Sequence, residues 1–238
     1  MRARLNRVIL LGVLVVVLPA IAIVERIRPG TGRRLAVAAI RWVAARCGVR
    51  IEVSGGERLD ENESYVLVPN HTSPVDIAAM LIARPAARFV GAVELFRIPL
   101  LGSAMRALGT VPLRRGDLRQ SRGVLEELSR PDAGRQLVMF PEGGIAPTTQ
   151  VLPFKTGAFV VAINTQAAIV PVAISGAAAV LPHHGRLRVH PGTVRVDLLT
   201  PIDTTGLEVR DRTRLAHDAR DHVVATLHRR RAPGRSAA

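Results

Sequence analysis

From Val49 onward the chain alternates short apolar runs with segments of helical period, and few architectures accept that rhythm. The runs Ile51–Ser54, Tyr65–Val68, Arg88–Gly91, Thr110–Pro112, Gln136–Phe140, Ala168–Ile174 and Val194–Leu199 read as strands. Val75–Ala83, Leu100–Leu108, Leu118–Ser129, Thr156–Asn164 and Arg210–His228 read as helices. This succession predicts an α/β domain, a mixed sheet flanked by helices. At 238 residues the chain has room for one such domain, expected over 49–228, plus an N-terminal appendage over 1–48 and a basic tail over 229–238.

The appendage looks like a pair of helices. MRARLNR precedes an uncharged run from Val8 to Val24, closed by Glu25, Arg26 and Arg28. That run is slightly short for a helix crossing a bilayer, which needs about 20 apolar residues. Pro19 is expected to kink or end it. A cleaved signal peptide is the rival reading, with Ala20-Ile21-Ala22 as the cleavage site. Against cleavage stands a second helical segment, Arg33 to Gly48, with Leu35, Ala39, Trp42 and Val43 at helical spacing. Two such helices joined at Pro29-Gly30 suggest a retained, membrane-associated helical hairpin, lying in or dipping into one leaflet.

Charge agrees with an anionic partner. The formal net charge is +14, which suits a membrane surface or nucleic acid. Aromatic residues make up only 3%, so platforms for stacking bases are scarce and nucleic acid is not expected. The single cysteine, Cys47, cannot close an internal disulfide and reads as an inert, partly buried thiol compatible with a reducing compartment.

The sharpest local feature is Asn70-His71-Thr72-Ser73-Pro74-Val75-Asp76, directly after a strand. Ser73 reads as a helix N-cap, Pro74 as the first helical residue and Asp76 as the third. A carboxylate there has a plain structural use, facing the first-turn amides. A positive helix end also favours a neutral imidazole at His71, which can accept a proton while Asp76 holds its other nitrogen. This is the base and orienter of a triad without an enzyme nucleophile, since no Gly-x-Ser-x-Gly elbow is present. A thioester donor needs none: a substrate hydroxyl can attack it directly once a base and an oxyanion stabiliser are in place.

His71 and Asp76, four residues between them, resemble the HxxxxD signature of the glycerolipid acyltransferases, and further blocks follow in order. FVGAVELFRIPLLGSAMRALGTVPLRR over Phe89–Arg115 is similar to the stretch leading to the family's second block, with Glu94, Leu95, Pro99, Gly102, Gly109 and Arg115 in the expected places. Phe140-Pro141-Glu142-Gly143 looks like the third block, Phe154-Lys155-Thr156-Gly157-Ala158 like the segment beyond it, and Val170-Pro171-Val172 like the fourth. The resemblance implies a glycerolipid acyltransferase-like fold and an O-acyltransferase of the 1-acylglycerol-3-phosphate type. It implies acyl-CoA or acyl-carrier protein as co-substrate, no bound cofactor or metal, and a lysolipid acceptor. It also implies work in phospholipid biosynthesis at the cytoplasmic side of the cell membrane. His71 would deprotonate the acceptor hydroxyl and Asp76 orient it. Glu142 would contact the acceptor or brace the site, while Arg115 and Lys155 would meet phosphate. Independently, Gly143 and Gly144 after a strand allow close backbone approach to a ligand. Lys155 is the one lysine in an arginine-rich chain, a hint that a compact ammonium is wanted there.

Two departures bear on the acceptor. Many relatives carry Thr-Arg after FPEG, where this chain has Gly144 and Ile145, and many carry Lys in the place of Ala92. Each missing cation would form a charge-assisted bond to phosphate worth about 1.5–3 kcal/mol. Arg114, beside Arg115, could restore one charge. The acceptor is therefore lysophosphatidate by default, with another lysolipid, or lipid binding without turnover, as alternatives. His183, His184 and His190 lack carboxylate or cysteine neighbours and are not expected to bind metal. His217, Asp218, Asp221 and His222 are expected on a solvated helix face. Arg33-Arg34 and Arg229–Arg231 read as headgroup contacts or as plain solubility.

Overall fold

A computed structural model describes residues 12, 16–60, 63–114, 136–182 and 188–231. Helices α1 (Leu18–Ile27) and α2 (Thr31–Arg46) fold back on each other at the N-terminal end. Pro19 lies in the first turn of α1, just after two π-helical residues, Val16 and Val17, so it falls where the helical ladder is irregular and does not end the helix. The α2 helix starts at Thr31, two residues before the sequence suggests. The Glu25 carboxylate reaches across the turn and accepts the amides of Gly30 and Gly32, both at 2.7 Å. That satisfies two amide donors at the start of α2, whose cap residue makes no side-chain hydrogen bond. Among the described residues no helix is long and apolar enough to cross a membrane.

Arg33 ties this hairpin to the rest of the chain. Its guanidinium donates to the carbonyls of Pro85 (2.9 Å), Ala87 (2.6 Å) and Leu108 (2.5 Å), which corrects the expectation of a headgroup contact at this position. Burial lowers its pKa, partly offset by Glu25.

Seven strands follow: β1 (Val49–Ser54), β2 (Tyr65–Pro69), β3 (Arg88–Ala92), β4 (Val111–Leu113), β5 (Gln136–Val138), β6 (Ala168–Ser175) and β7 (Gly192–Leu198). Among them run helices α3 (Val75–Ala83), α4 (Leu101–Ala107), α5 (Gly157–Thr165) and α6 (Ala177–Val180), with α7 (Arg212–Arg231) last. The strands form one mixed sheet in the order β1-β7-β6-β2-β5-β3-β4. Among these described strands only β6 and β7 pair antiparallel. Tyr65 stands level with Gln136 and Ala168, and Pro69 with Val172, so the β2, β5 and β6 chains leave the sheet at one edge. In parallel sheets that edge is where ligands bind.

Period-two alternation sorts the core into two layers. Leu67, Val170, Val172, Ile174, Val194 and Val196 face Met80 of α3. Val66, Val68, Leu137 and Ile169 face Phe159 of α5 and Leu215 and Val223 of α7. A smaller cluster of Ile21, Ala36 and Ala104 joins α1, α2 and α4. Cys47 is buried and unpaired, and burial raises its thiol pKa. β5 stops at Val138, short of the expected Phe140, although the Met139 amide still reaches the Leu67 carbonyl at 3.0 Å. The helix expected over Leu118–Ser129 lies outside the described residues.

Candidate active site

The chain leaving β2 turns through Asn70 and His71 before entering α3. Asn70 fixes the exit: its amide donates to the Ile174 carbonyl at 3.0 Å and its oxygen accepts the Ile174 N–H at 2.7 Å. A side-chain amide here does what one more residue of sheet would do, so the backbone of His71 is free to leave the strand plane. The helix runs over Val75–Ala83, as expected, although Pro74 stands at the cap position expected for Ser73. Ser73 accepts the Val75 amide at 3.2 Å and donates its hydroxyl to the Leu181 carbonyl at 2.7 Å.

Asp76 sits in the first turn of α3, fully buried. Its Oδ2 accepts three hydrogen bonds: the amides of Thr72 (2.7 Å) and Ser73 (2.8 Å) and Nδ1–H of His71 (3.0 Å). The contacts that hold the turn and the contact to the imidazole thus meet on one oxygen. Its Oδ1 is buried without a partner among the described residues. With Nδ1 of His71 committed to Asp76, Nε2 is the ring nitrogen left to take a proton. His71 is 8% exposed and its ring packs on Phe140, centroids 4.2 Å apart at 31°.

The turn after β5 grips His71 from the other side. Its N–H donates to Glu142 Oε1 at 2.7 Å, and its carbonyl accepts the Ala146 amide at 2.8 Å. The second Glu142 oxygen accepts the Leu152 amide at 2.9 Å. Glu142 is 5% exposed with both oxygens engaged, so of the two roles the resemblance implies, bracing is the one its geometry supports. Burial raises its pKa, opposed by those two amide bonds and by the charge of His71.

Gly143, at φ +74°, lets the chain turn beneath Lys155: a methyl built on its Cα would stand 2.5 Å from Nζ. A side chain at this position would evict the ammonium. Lys155 is itself exposed, with its amide donating to the Pro141 carbonyl at 2.9 Å. The lysine and the glycine are therefore neighbours of the His71 turn through Glu142.

Ala92 ends β3 and Arg114 follows β4, whose Leu113 pairs with Ala92. Arg114 is exposed, whereas Arg115 lies outside the described residues. Gly144 and Ile145 are half-buried in the segment that delivers Ala146 to His71. His183 and His184 lie outside the described residues, and His190 bonds through its backbone to Val180 at 2.8 Å. His217, Asp218, Asp221 and His222 are on the exposed face of α7.

Sequence reasoning gave no role to Asn70, Phe140 or Ala146. Asn70 precedes the histidine at a strand end, which is the available signal for a strand-mimicking amide. Phe140 opens the third block without a role of its own and nothing local marks Ala146, because the partner of both is His71, brought in by the sheet.

A sequence model of the Acyltransferase family matches residues 50–175, more than half of the chain. The chain is 31% identical to the chloroplastic 1-acyl-sn-glycerol-3-phosphate acyltransferase of Arabidopsis thaliana, over 75% of this chain and 49% of that protein. It is 31% identical to the 1-acyl-sn-glycerol-3-phosphate acyltransferase of Saccharomyces cerevisiae, over 79% of this chain and 66% of the relative. Its 29% identity to the Escherichia coli protein of the same name covers 66% of this chain and 64% of that one. The chain thus spans about half the length of the plant relative it matches. In fold it is similar to the crystal structure of the 1-acyl-sn-glycerophosphate acyltransferase PlsC from Thermotoga maritima, with a TM-score of 0.80 at 23% identity, covering 98% and 99% of the two chains.

Proposed function

Because this chain belongs to the acyltransferase family, we propose that it moves a fatty acyl group from a thioester, acyl-CoA or acyl-carrier protein, to the hydroxyl of a lysophospholipid. The default acceptor is 1-acylglycerol-3-phosphate, giving phosphatidate. The observation that carries this is the buried 3.0 Å contact between His71 Nδ1 and Asp76 Oδ2.

In the reaction, His71 Nε2 takes the proton of the acceptor hydroxyl as that oxygen attacks the thioester carbonyl. Asp76 compensates the imidazolium that forms. When the tetrahedral intermediate collapses, the carbon–sulfur bond breaks and the departing sulfur takes the proton from Nε2. An ester and a thiol result, and the histidine is neutral again. Glu142 and Ala146 hold the histidine backbone. Lys155, over Gly143, supplies a cation for the acceptor's headgroup, with Arg114 and Arg115 as further candidates.

Replacing His71 with Ala should lower the rate of thioester consumption with a lysolipid by at least about a hundredfold, the contribution of a positioned general base. Wild-type turnover in that variant would end the mechanism.

A second acceptor reading is favoured by Ala92 and Ile145. At those two positions the chain carries apolar side chains where the family resemblance leads one to expect cations. The acceptor would then be a lysolipid without a phosphomonoester. Comparing lysophosphatidate with other lysophospholipids and lyso-aminolipids, with both carriers, separates the readings. Binding without turnover on every acceptor would leave a lipid-binding member of the fold.

The hairpin is proposed to attach the enzyme to an anionic leaflet from the cytoplasmic side. Val16, Ile23 and Ile27 by α1 and Trp42 on α2 are exposed apolar side chains, interleaved with exposed Arg26, Arg28 and Arg41. Apolar faces flanked by arginine suit an interface where chains meet headgroups.

A further inference from the structure

Leu100 is one of two non-glycine residues with positive φ among the described residues, at φ 64° and ψ −52°. This is the γ-turn of the rare hand, closed by the Leu101 amide on the Pro99 carbonyl at 2.7 Å. A branched aliphatic residue is strained there and glycine would not be. Such strain persists only where the surroundings enforce it. Here the Gly102 amide bonds the Ile98 carbonyl at 2.9 Å, and Ser103 Oγ donates to the Leu100 carbonyl at 2.8 Å. On the following turn, Gly102 packs so closely on Phe96 that a methyl would lie 2.2 Å from its carbonyl oxygen.

The strained turn leaves its apolar side chains only partly covered. Ile98 is 47% and Leu100 39% exposed, and Pro99 between them is exposed as well. Three consecutive apolar residues therefore protrude at the head of α4, the helix that packs on α1 through Ala104 and Ile21. Arg97 and Arg106 are exposed beside this tip, with one exposed carboxylate, Glu94, on the preceding turn. Arg106 is held upright by the Phe96 carbonyl at 3.3 Å, its guanidinium carbon 6.0 Å from the Phe96 ring centre.

We propose that the turn 98–100 is a wedge that enters the apolar layer of an anionic bilayer, with Arg97 and Arg106 at headgroup level. It is a second point of contact, separate from the N-terminal hairpin. The inference rests on the membrane attachment proposed above and narrows it to named side chains. Two observations select a bilayer as the occupant. Apolar side chains are pushed outward at a conformational cost, and the cations flanking them outnumber the single carboxylate. Insertion would remove Ile98 and Leu100 from water and leave the arginines where phosphate oxygens lie.

The test uses the full chain with vesicles of phosphatidylglycerol and phosphatidylcholine. Leu100→Gly relieves the strain and removes the side chain. It should keep or raise the thermal midpoint while lowering partition onto the vesicles roughly tenfold, the effect of losing one buried aliphatic side chain. Leu100→Phe, apolar in the same backbone, should partition like the unaltered chain. Ile98→Ser leaves the strained turn in place and should also weaken partition. Acyl transfer to a water-soluble short-chain acceptor should be unchanged in Leu100→Gly, which keeps this question apart from the role of His71. Unaltered partition in both Leu100→Gly and Ile98→Ser would overturn the proposal. So would self-association without lipid that Leu100→Gly abolishes, because it would assign the tip to a protein contact.

Discussion

Asp76 holds a turn and faces the proposed base through a single atom. Oδ2 gathers two loop amides and the imidazole, and Oδ1 is buried with no partner among the described residues. Asp76→Asn is therefore more than the loss of a charge. The favourable orientation keeps the amide oxygen on the three donors and places the NH2 where Oδ1 was, without an acceptor. A buried donor left unbonded costs about 1–3 kcal/mol. The imidazolium also loses its counter-charge, so acyl transfer should fall by at least about a hundredfold. Denaturant titration and a steady-state rate measure the two effects separately. A variant that kept its rate would remove Asp76 from the chemistry and leave it a turn residue. The pairing of His71 with Asp76 was legible in the sequence because a strand end and a helix start lie within one heptapeptide. Bracing by Glu142 was offered only as one of two roles implied by the family resemblance, since its two amide partners belong to His71 and Leu152, on separate stretches of chain.

Elements are joined here by polar clamps as well as by the apolar layers. At the far end of α7, Arg230 grips Asp197 of β7 with Nη2–Oδ1 at 2.6 Å and Nε–Oδ2 at 3.1 Å, and Ser54 of β1 adds a third bond at 2.6 Å. Burial alone would raise the Asp197 pKa, but the hydrogen bonds from Arg230 and Ser54 outweigh it and hold it below the ordinary 3.8. A depressed carboxylate contributes stability that is present above its unfolded pKa and lost as pH falls through the lower folded value. Arg230→Ala removes the depression and leaves the buried charge poorly paired, so its acid unfolding midpoint should move to higher pH. Equilibrium unfolding followed between about pH 2 and pH 6 measures the shift. An unmoved acid limb would mean the pair contributes nothing. The extent of α3 was legible throughout, because Pro74 precedes it and Pro85 follows it. The reversal of β7 against β6 was not, because strand direction is set by pairing and leaves no mark in a period-two pattern. The four-residue helix α6 is too short to register a helical period at all.

The whole molecule carries a formal charge of +14, with arginine spread over α1, α2 and α7. Screening should therefore divide vesicle binding into two parts. The electrostatic part weakens as the Debye length shrinks from about 10 Å at 0.1 M salt to about 3 Å at 1 M. The apolar part, from the hairpin and the 98–100 turn, persists. Sedimentation with phosphatidylglycerol vesicles across that salt range should show binding that falls and then levels off. A decline to nothing would leave charge as the sole attraction, a property nucleic acid would share.

The grip on His71 reaches far along the chain, to Glu142 across 71 residues and, through Asn70, to Ile174 across 104. Closing such spans is entropically costly and comes late in assembly. A partly folded chain with β2 and α3 formed would hold both histidine and aspartate yet leave the imidazole backbone untethered. On the proposed mechanism turnover should therefore need β5 and β6 docked beside β2, and a chain cut short before β6 should consume no thioester.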